Sequence, residues 1–209
     1  MKILFLDTSS FFVTVSIIED GKIVYLFQDE ITDDMSSKVM PIISDGFNTL
    51  DFSIKDIDKI MVVNGPGSFT GVRIGVTIAK TIAWALKKDI ITISSLEFLA
   101  TTQVNTKYII PMIDARRGFV YSGVYDSELN IIKEDSYIKY EDLKDFFVDG
   151  TIISFNNFDN CAKPNLDVLK IINKHVNDEC INPHAVKPNY LKKTEAEENL
   201  EKKNDKTSN

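Results

Sequence analysis

Cysteine and histidine are nearly missing from this chain of 209 residues. The two cysteines, Cys161 and Cys180, supply no disulfide framework and no C-x-x-C pair. That pattern is expected of a reducing compartment, here the cytoplasm. The two histidines, His175 and His184, are too far apart to share a metal from one helix face, as imidazoles at i and i+4 can. Both read as solvated residues rather than ligands. Positive charge is also in deficit: 24 Lys and Arg face 31 Asp and Glu, for a net charge of −7. Phosphate binding needs clustered Lys and Arg, so nucleic-acid contact is expected only beside a more basic partner. Long apolar runs are lacking as well. Asp7 interrupts the N-terminal run "ILFL", and no small-residue cleavage pattern follows, so no secretory leader is read there. Val72–Leu86 contains Lys80 and is short for a bilayer, so no membrane segment is expected.

The rest has the composition of an ordinary globular protein, 44% apolar and 26% charged. Apolar runs at Lys2–Leu6, Phe12–Ile18 and Ile23–Phe27 read as strands, with Asp20-Gly21 as a hairpin turn between the last two. A helix is expected within Met35–Leu50, limited or kinked by Pro41. A strand at Lys59–Val63, a helix at Phe69–Leu86, a strand at Ile90–Ile93 and a short helix capped by Ser94 or Ser95 follow. The pattern then restarts. At an offset of 107, Asp7 aligns with Asp114, Phe12 with Phe119, Val13 with Val120 and Ile17 with Val124. A duplicated unit predicts two α/β lobes facing a cleft, residues 1–102 and 103–193. A helical segment is read at 140–147 and a last helix near 166–176. Residues 194–209 are polar and charged and are expected to form a mobile tail.

The densest punctuation is "NGPGSFTGVRIG", Asn64 to Gly75. It lacks the Lys-Ser/Thr pair of a Walker loop and the third glycine of the dinucleotide fingerprint. A turn at Gly65-Pro66-Gly67 with Ser68 as N-cap remains, and a helix N-terminus there could hold a phosphate. A turn needing glycine for its dihedrals is the plainer reading. In the helix that follows, Gly71, Gly75, Ala79 and Ala83 recur every fourth residue and form one smooth stripe. Val72, Val76 and four other aliphatic residues cover most of the rest, so the helix is expected to be covered by its own lobe or by a partner chain.

The motif "NGPGSFTGVRIGVTIAK", with "ILFLDTSS", "PMIDARRGFVY" and "KPNYLKK", resembles the bacterial TsaB family, also called YeaZ. The likeness covers nearly all of the chain except the tail, and the glycine segment is partly shared with the catalytic paralogue TsaD. The resemblance implies an actin-like ATPase fold of two duplicated lobes. It also implies an accessory, non-catalytic role in making N6-threonylcarbamoyladenosine at position 37 of tRNA, with TsaD and the ATPase TsaE as partners, self-association when alone, and tRNA contact only through the complex. In that family, first-lobe helices of two chains pack together. The implied partner residues are Val39, Met40 and Ile43 on one helix and Gly71, Val72, Arg73, Gly75 and Val76 on the other. The metal-binding His-x-x-x-His pair of TsaD has no counterpart here, and Met35-Ser36-Ser37 stands where many members have His-Ser-Glu.

No metal and no catalytic residue is therefore expected. Asp7 and Asp114, ending equivalent strands, could organise Mg²⁺ and ATP or ADP together with Gly65, Gly67 and Ser68, although aspartate also simply ends strands. Arg116-Arg117 suits a phosphate or a partner carboxylate, or is only an exposed turn. Two other readings compete with the scaffold: a stand-alone ATPase or small-molecule kinase of the same fold, and a metallopeptidase, which the missing histidine ligands disfavour.

Overall fold

A computed structural model describes residues 1–192; the expected tail, 194–209, lies outside the described residues. The first sheet contains β1 (Lys2–Asp7), β2 (Phe12–Glu19), β3 (Lys22–Glu30), β4 (Lys59–Gly65) and β5 (Asp89–Ser94), in the order β3-β2-β1-β4-β5. The second contains β6 (Tyr108–Asp114), β7 (Phe119–Tyr125), β8 (Ile131–Lys139), β9 (Gly150–Ile153) and β10 (Cys161–Ala162), in the order β10-β9-β6-β7-β8. The two orders match strand for strand. In each sheet the central strand pairs antiparallel with the next strand in sequence and parallel with the fourth. The 107-residue offset is therefore a structural duplication, and Asp7 and Asp114 end the two central strands.

Burial explains the sequence patterns. β1 is covered on both faces and reads as a continuous apolar run, whereas β2, equally buried, places Thr14 and Ser16 between its aliphatic residues. Leu4, Leu6, Val15 and Ile17 pack beneath helices α1 (Met35–Asn48) and α2 (Phe69–Leu86). Ile3, Phe5, Met61 and Ile91 face the other way, into a core shared by both lobes. That shared core includes Phe98 of α3 (Ser95–Leu99), Ile109 of β6, Tyr125 of β7 and Ile171 of α5 (Val168–His175). Phe5 and Phe98 meet edge to face at 5.0 Å. A smaller cluster holds Ile110, Val120 and Leu143 of the second lobe near α4 (Lys144–Phe147).

Local signals behave as expected in several places. Asp20 and Gly21 both take positive φ at the hairpin. Ser94 caps α3 by accepting from the Leu96 and Glu97 N–H groups, and Ser68 caps α2 through Gly71 N–H. Pro41 does not end α1, which continues to Asn48.

The chain departs from a simple two-lobe partition near its end. Val186–Tyr190 crosses back to the first lobe and lies along α2. Lys80 Nζ donates to the Val186 carbonyl at 2.8 Å, Asn189 N–H donates to the Asn64 carbonyl at 2.7 Å, and Arg73 Nε donates to Tyr190 Oη at 2.8 Å. This strap belongs structurally to the first lobe. By length and composition α2 could cross a membrane; here it is the core helix of the first lobe.

Candidate functional site

Between the lobes lies a cavity of about 330 Å³. Asp7, Ser9 and Ser68 approach it from the first lobe, Asp114 and Asn156 from the second, and Phe98, Met112 and Phe155 give it an apolar wall. The topology brings the two strand-end aspartates to one opening, as the sequence repeat implies. Their environments differ. Asp7 is only 4% exposed and takes the Ser9 N–H at 2.8 Å. Burial pushes its carboxyl up to about 6, against the lowering effect of the Ser9 hydrogen bonds. Asp114 is exposed and accepts from the Arg116 N–H at 2.8 Å.

The expected nucleotide set is only partly assembled. Asp7, Ser68 and Asp114 line the cavity; Gly65 and Gly67 do not. A Cβ on Gly67 would strike the Ser9 carbonyl, which also accepts the Ser68 N–H at 2.7 Å. Gly65 has φ +112 and lies under the Asn189 carbonyl of the strap. These glycines permit close backbone approach and a left-handed dihedral. The cavity lining contains no Lys, Arg or His. A phosphate group there would meet two carboxylates and would need a divalent cation to be held. Among the described residues no group of three or more His, Cys, Asp or Glu is arranged to bind a metal.

The second candidate surface is the outer face of α1 and α2, and here the structure corrects the sequence reading. Val39, Ile43, Val72 and Val76 are buried in the lobe's own core, so they cannot meet a partner. Gly71 and Gly75 face Thr8, whose hydroxyl donates to the Gly71 carbonyl at 2.7 Å. The smooth stripe therefore lets α2 lie against the end of β1. Two of the expected residues do face outward, Met40 at 46% exposure and Arg73. They border a groove of about 470 Å³ that also includes Ser36, Phe69, Ile74 and Ile78. Phe69 is 51% exposed. The Arg73 guanidinium lies 3.6 Å from the centre of the Phe69 ring, and Tyr190 stacks on that ring at 5.4 Å. Arg73 is thus bonded within its own chain.

One polar cluster escapes sequence reading. Glu97 of α3 meets Lys174 at 2.7 Å and His175 at 2.9 Å, and His175 also meets Asp178 at 2.6 Å. Burial opposes charge on both Glu97 and His175, yet the ion pairs prevail: the Glu97 carboxyl is lowered and the His175 imidazole raised. His175 is therefore a pinned interlobe residue, against the solvated reading of the sequence. A lone glutamate within "SLEFLA" was the available clue.

A family model described as TsaD, tRNA N6-adenosine threonylcarbamoyltransferase, matches residues 30–176. The chain is 38% identical over 135 residues to the tRNA threonylcarbamoyladenosine biosynthesis protein TsaB of Bacillus subtilis, a match covering 64% of this chain and 59% of that protein. The TsaB protein of Escherichia coli is 32% identical over 133 residues, covering 62% of this chain and 57% of that protein. Each match thus spans less than two thirds of the relative. The solved structure of YeaZ from Pseudomonas aeruginosa has the same fold, with TM-score 0.78 at 22% identity over 91% of this chain and 99% of that one. The TsaD model covers well over half of the chain, so the chain belongs to the family that model describes, and its named relatives place it among that family's TsaB (YeaZ) proteins.

Proposed function

We propose that this chain is a non-catalytic subunit in the synthesis of N6-threonylcarbamoyladenosine in tRNA, acting in the cytoplasm by docking a TsaD homologue on the outer face of α1 and α2. The observation that carries the reading is the groove bordered by Met40, Phe69, Ile74 and Ile78, which leaves large apolar side chains of two core helices uncovered. A helix pair offering such a groove suits a second helix pair. The names of the relatives supply the pathway, and the interlobe cavity, acidic and without cationic side chains, favours a scaffold over a phosphoryl-transfer enzyme. TsaE and tRNA join through the complex in this reading, and no cofactor is required.

The test is size-exclusion chromatography with light scattering on the chain alone and with the TsaD homologue of the same source. The pair should co-elute. Met40→Glu with Thr77→Glu, both exposed in the groove, should abolish the heterodimer and leave the melting temperature nearly unchanged. If the doubly substituted chain still assembles normally, the docking face lies elsewhere. Sustained ATP hydrolysis by the purified chain, abolished by Asp7→Ala, would instead support the stand-alone ATPase.

A further inference from the structure

The two adjacent arginines in the turn between β6 and β7 are held in a costly way. Arg116 and Arg117 have φ of 67° and 56°, and Gly118 follows at 77°. Left-handed backbone is disfavoured for L-residues with a Cβ and is natural for glycine. The turn is closed by Ala115 N–H to the Phe119 carbonyl and Phe119 N–H to the Arg116 carbonyl. Glycine would fit here with less strain, yet the exposed positions carry two guanidinium groups.

Their surroundings are unusual for so acidic a protein. Phe119 stacks on Tyr137 of β8 with ring centres 4.6 Å apart and planes at 8°. Lys139 lies opposite Phe119 in the strand register, and Lys192 Nζ stands 5.3 Å from the Tyr137 ring centre. Among the described residues none of Arg116, Arg117, Lys139 and Lys192 lies within ion-pair distance of a carboxylate. Two lysines beside a stacked aromatic pair, with two exposed arginines in the turn that leads into it, are a combination that can grip unpaired nucleotides, with phosphates on the cations and a base against a ring. An acidic peptide would use the cations but not the flat stack.

We infer that the Arg116-Arg117 turn and the adjacent Phe119–Tyr137 stack form an RNA-contacting surface of this subunit, which adds phosphate and base contacts to those of its partner. This rests on the reading of the chain as a subunit acting on tRNA. The acidic net charge fits a surface that works within a complex and is too weak to hold RNA by itself.

The test uses the complex with the TsaD homologue and an unmodified tRNA transcript, titrated at several salt concentrations. Replacing Arg116 and Arg117 with glycine together removes both charges and relieves the turn. The variant should melt at or above the wild-type temperature and assemble normally. It should bind the transcript at least tenfold more weakly, with the salt slope shallower by about 1.4 for two lost contacts to a single strand. Arg116→Glu with Arg117→Glu should weaken binding further, and Lys139→Glu with Lys192→Glu should act in the same direction. Normal assembly with unchanged RNA affinity and slope would overturn the surface alone. Weakened assembly with RNA affinity intact would place a protein carboxylate opposite the arginines, and would overturn it too. If the wild-type chain neither assembles nor supports tRNA modification, the subunit reading fails first and the surface with it.

Discussion

The two lobes share five strands in one order but differ in what covers them. In the first lobe the link from β4 to β5 is α2, 18 residues long. In the second, residues 154–160 join β9 to β10 and contain no helix. Parallel crossovers ordinarily take a dozen or more residues, usually a helix. Here the crossover has contracted, and β10 retains only two residues, paired at Ile152 and Ile153. Likewise α1 spans 14 residues, whereas its second-lobe counterpart is the short turn and helix of Tyr140–Phe147. A duplicated unit needs its helix layer only where that layer packs or docks. The first lobe keeps a full layer with an uncovered outer face, and the second keeps its sheet, its share of the common core and the arginine turn.

Four substitutions sharpen this contrast. The largest loss of stability is expected at Gly71, where a Cβ would strike the Thr8 carbonyl, backbone that cannot easily yield. Gly71→Ala should cost about 3 kcal/mol, at the upper end for overpacking, measured by urea unfolding. A near-normal midpoint would mean that α2 is seated less tightly than described.

Next is Glu97→Gln, which breaks the link between α3 of the first lobe and α5 of the second. Breaking a buried pair typically costs 3–5 kcal/mol, and the partial exposure of Lys174 reduces the expectation to about 2. The pH dependence identifies the mechanism. The raised imidazole contributes fully below its unfolded value near 6.5, and its contribution fades as pH rises past the folded value. The lowered carboxyl contributes above its unfolded value near 4.3 and is lost as pH falls through its folded one. The gap between wild type and variant should therefore be widest near pH 5–6.5 and shrink on either side. A gap constant from pH 4 to 9 would remove the ionic explanation.

The strand-end aspartates give the third and fourth tests. Asp7 holds its proton more tightly when folded, so the folded state loses stability as pH rises from about 4 to about 6. Asp7→Asn should gain up to about 3 kcal/mol above pH 6, from roughly two units at 1.36 kcal/mol each, and almost nothing below pH 4. A destabilised Asp7→Asn at neutral pH would show that the ionised carboxylate is needed where it sits. Asp114→Asn, at the exposed equivalent, should stay within about 0.5 kcal/mol of wild type, both variants being followed by thermal melts between pH 4 and 8.

What the sequence discloses follows from what is local. β1 is apolar from Ile3 to Leu6, Asp20-Gly21 is an unmistakable turn, and the repeat pairs Asp7 with Asp114 and Phe12 with Phe119, so the duplicated fold could be read directly; the longer turn before β8 moves that strand off the 107-residue offset, since β8 begins 109 residues after β3. The direction each helix faces could not. Val72 and Val76 have the same composition whether a sheet or a partner covers them, and only the position of Thr8 shows that the glycine stripe faces inward. Met40 and Arg73 do face outward, but Phe69, Ile74 and Ile78 complete their groove and nothing in the periodicity selects them. The Glu97–His175 contact spans too many residues for any short motif to announce it.

The strap has a consequence for how the protein is made. Lys80, Asn64 and Arg73 each take a hydrogen-bond partner from Val186–Tyr190. A ribosome releases the first lobe well before it has synthesised those residues. At roughly 5–20 residues per second the lobe waits several seconds or more with α2 lacking the strap along its flank. During that interval the glycine turn has Ser9 against it but not Asn189. The first lobe is therefore completed by nearly the last of the described residues, and until they emerge its α2 flank stays open to chaperones or to a premature partner.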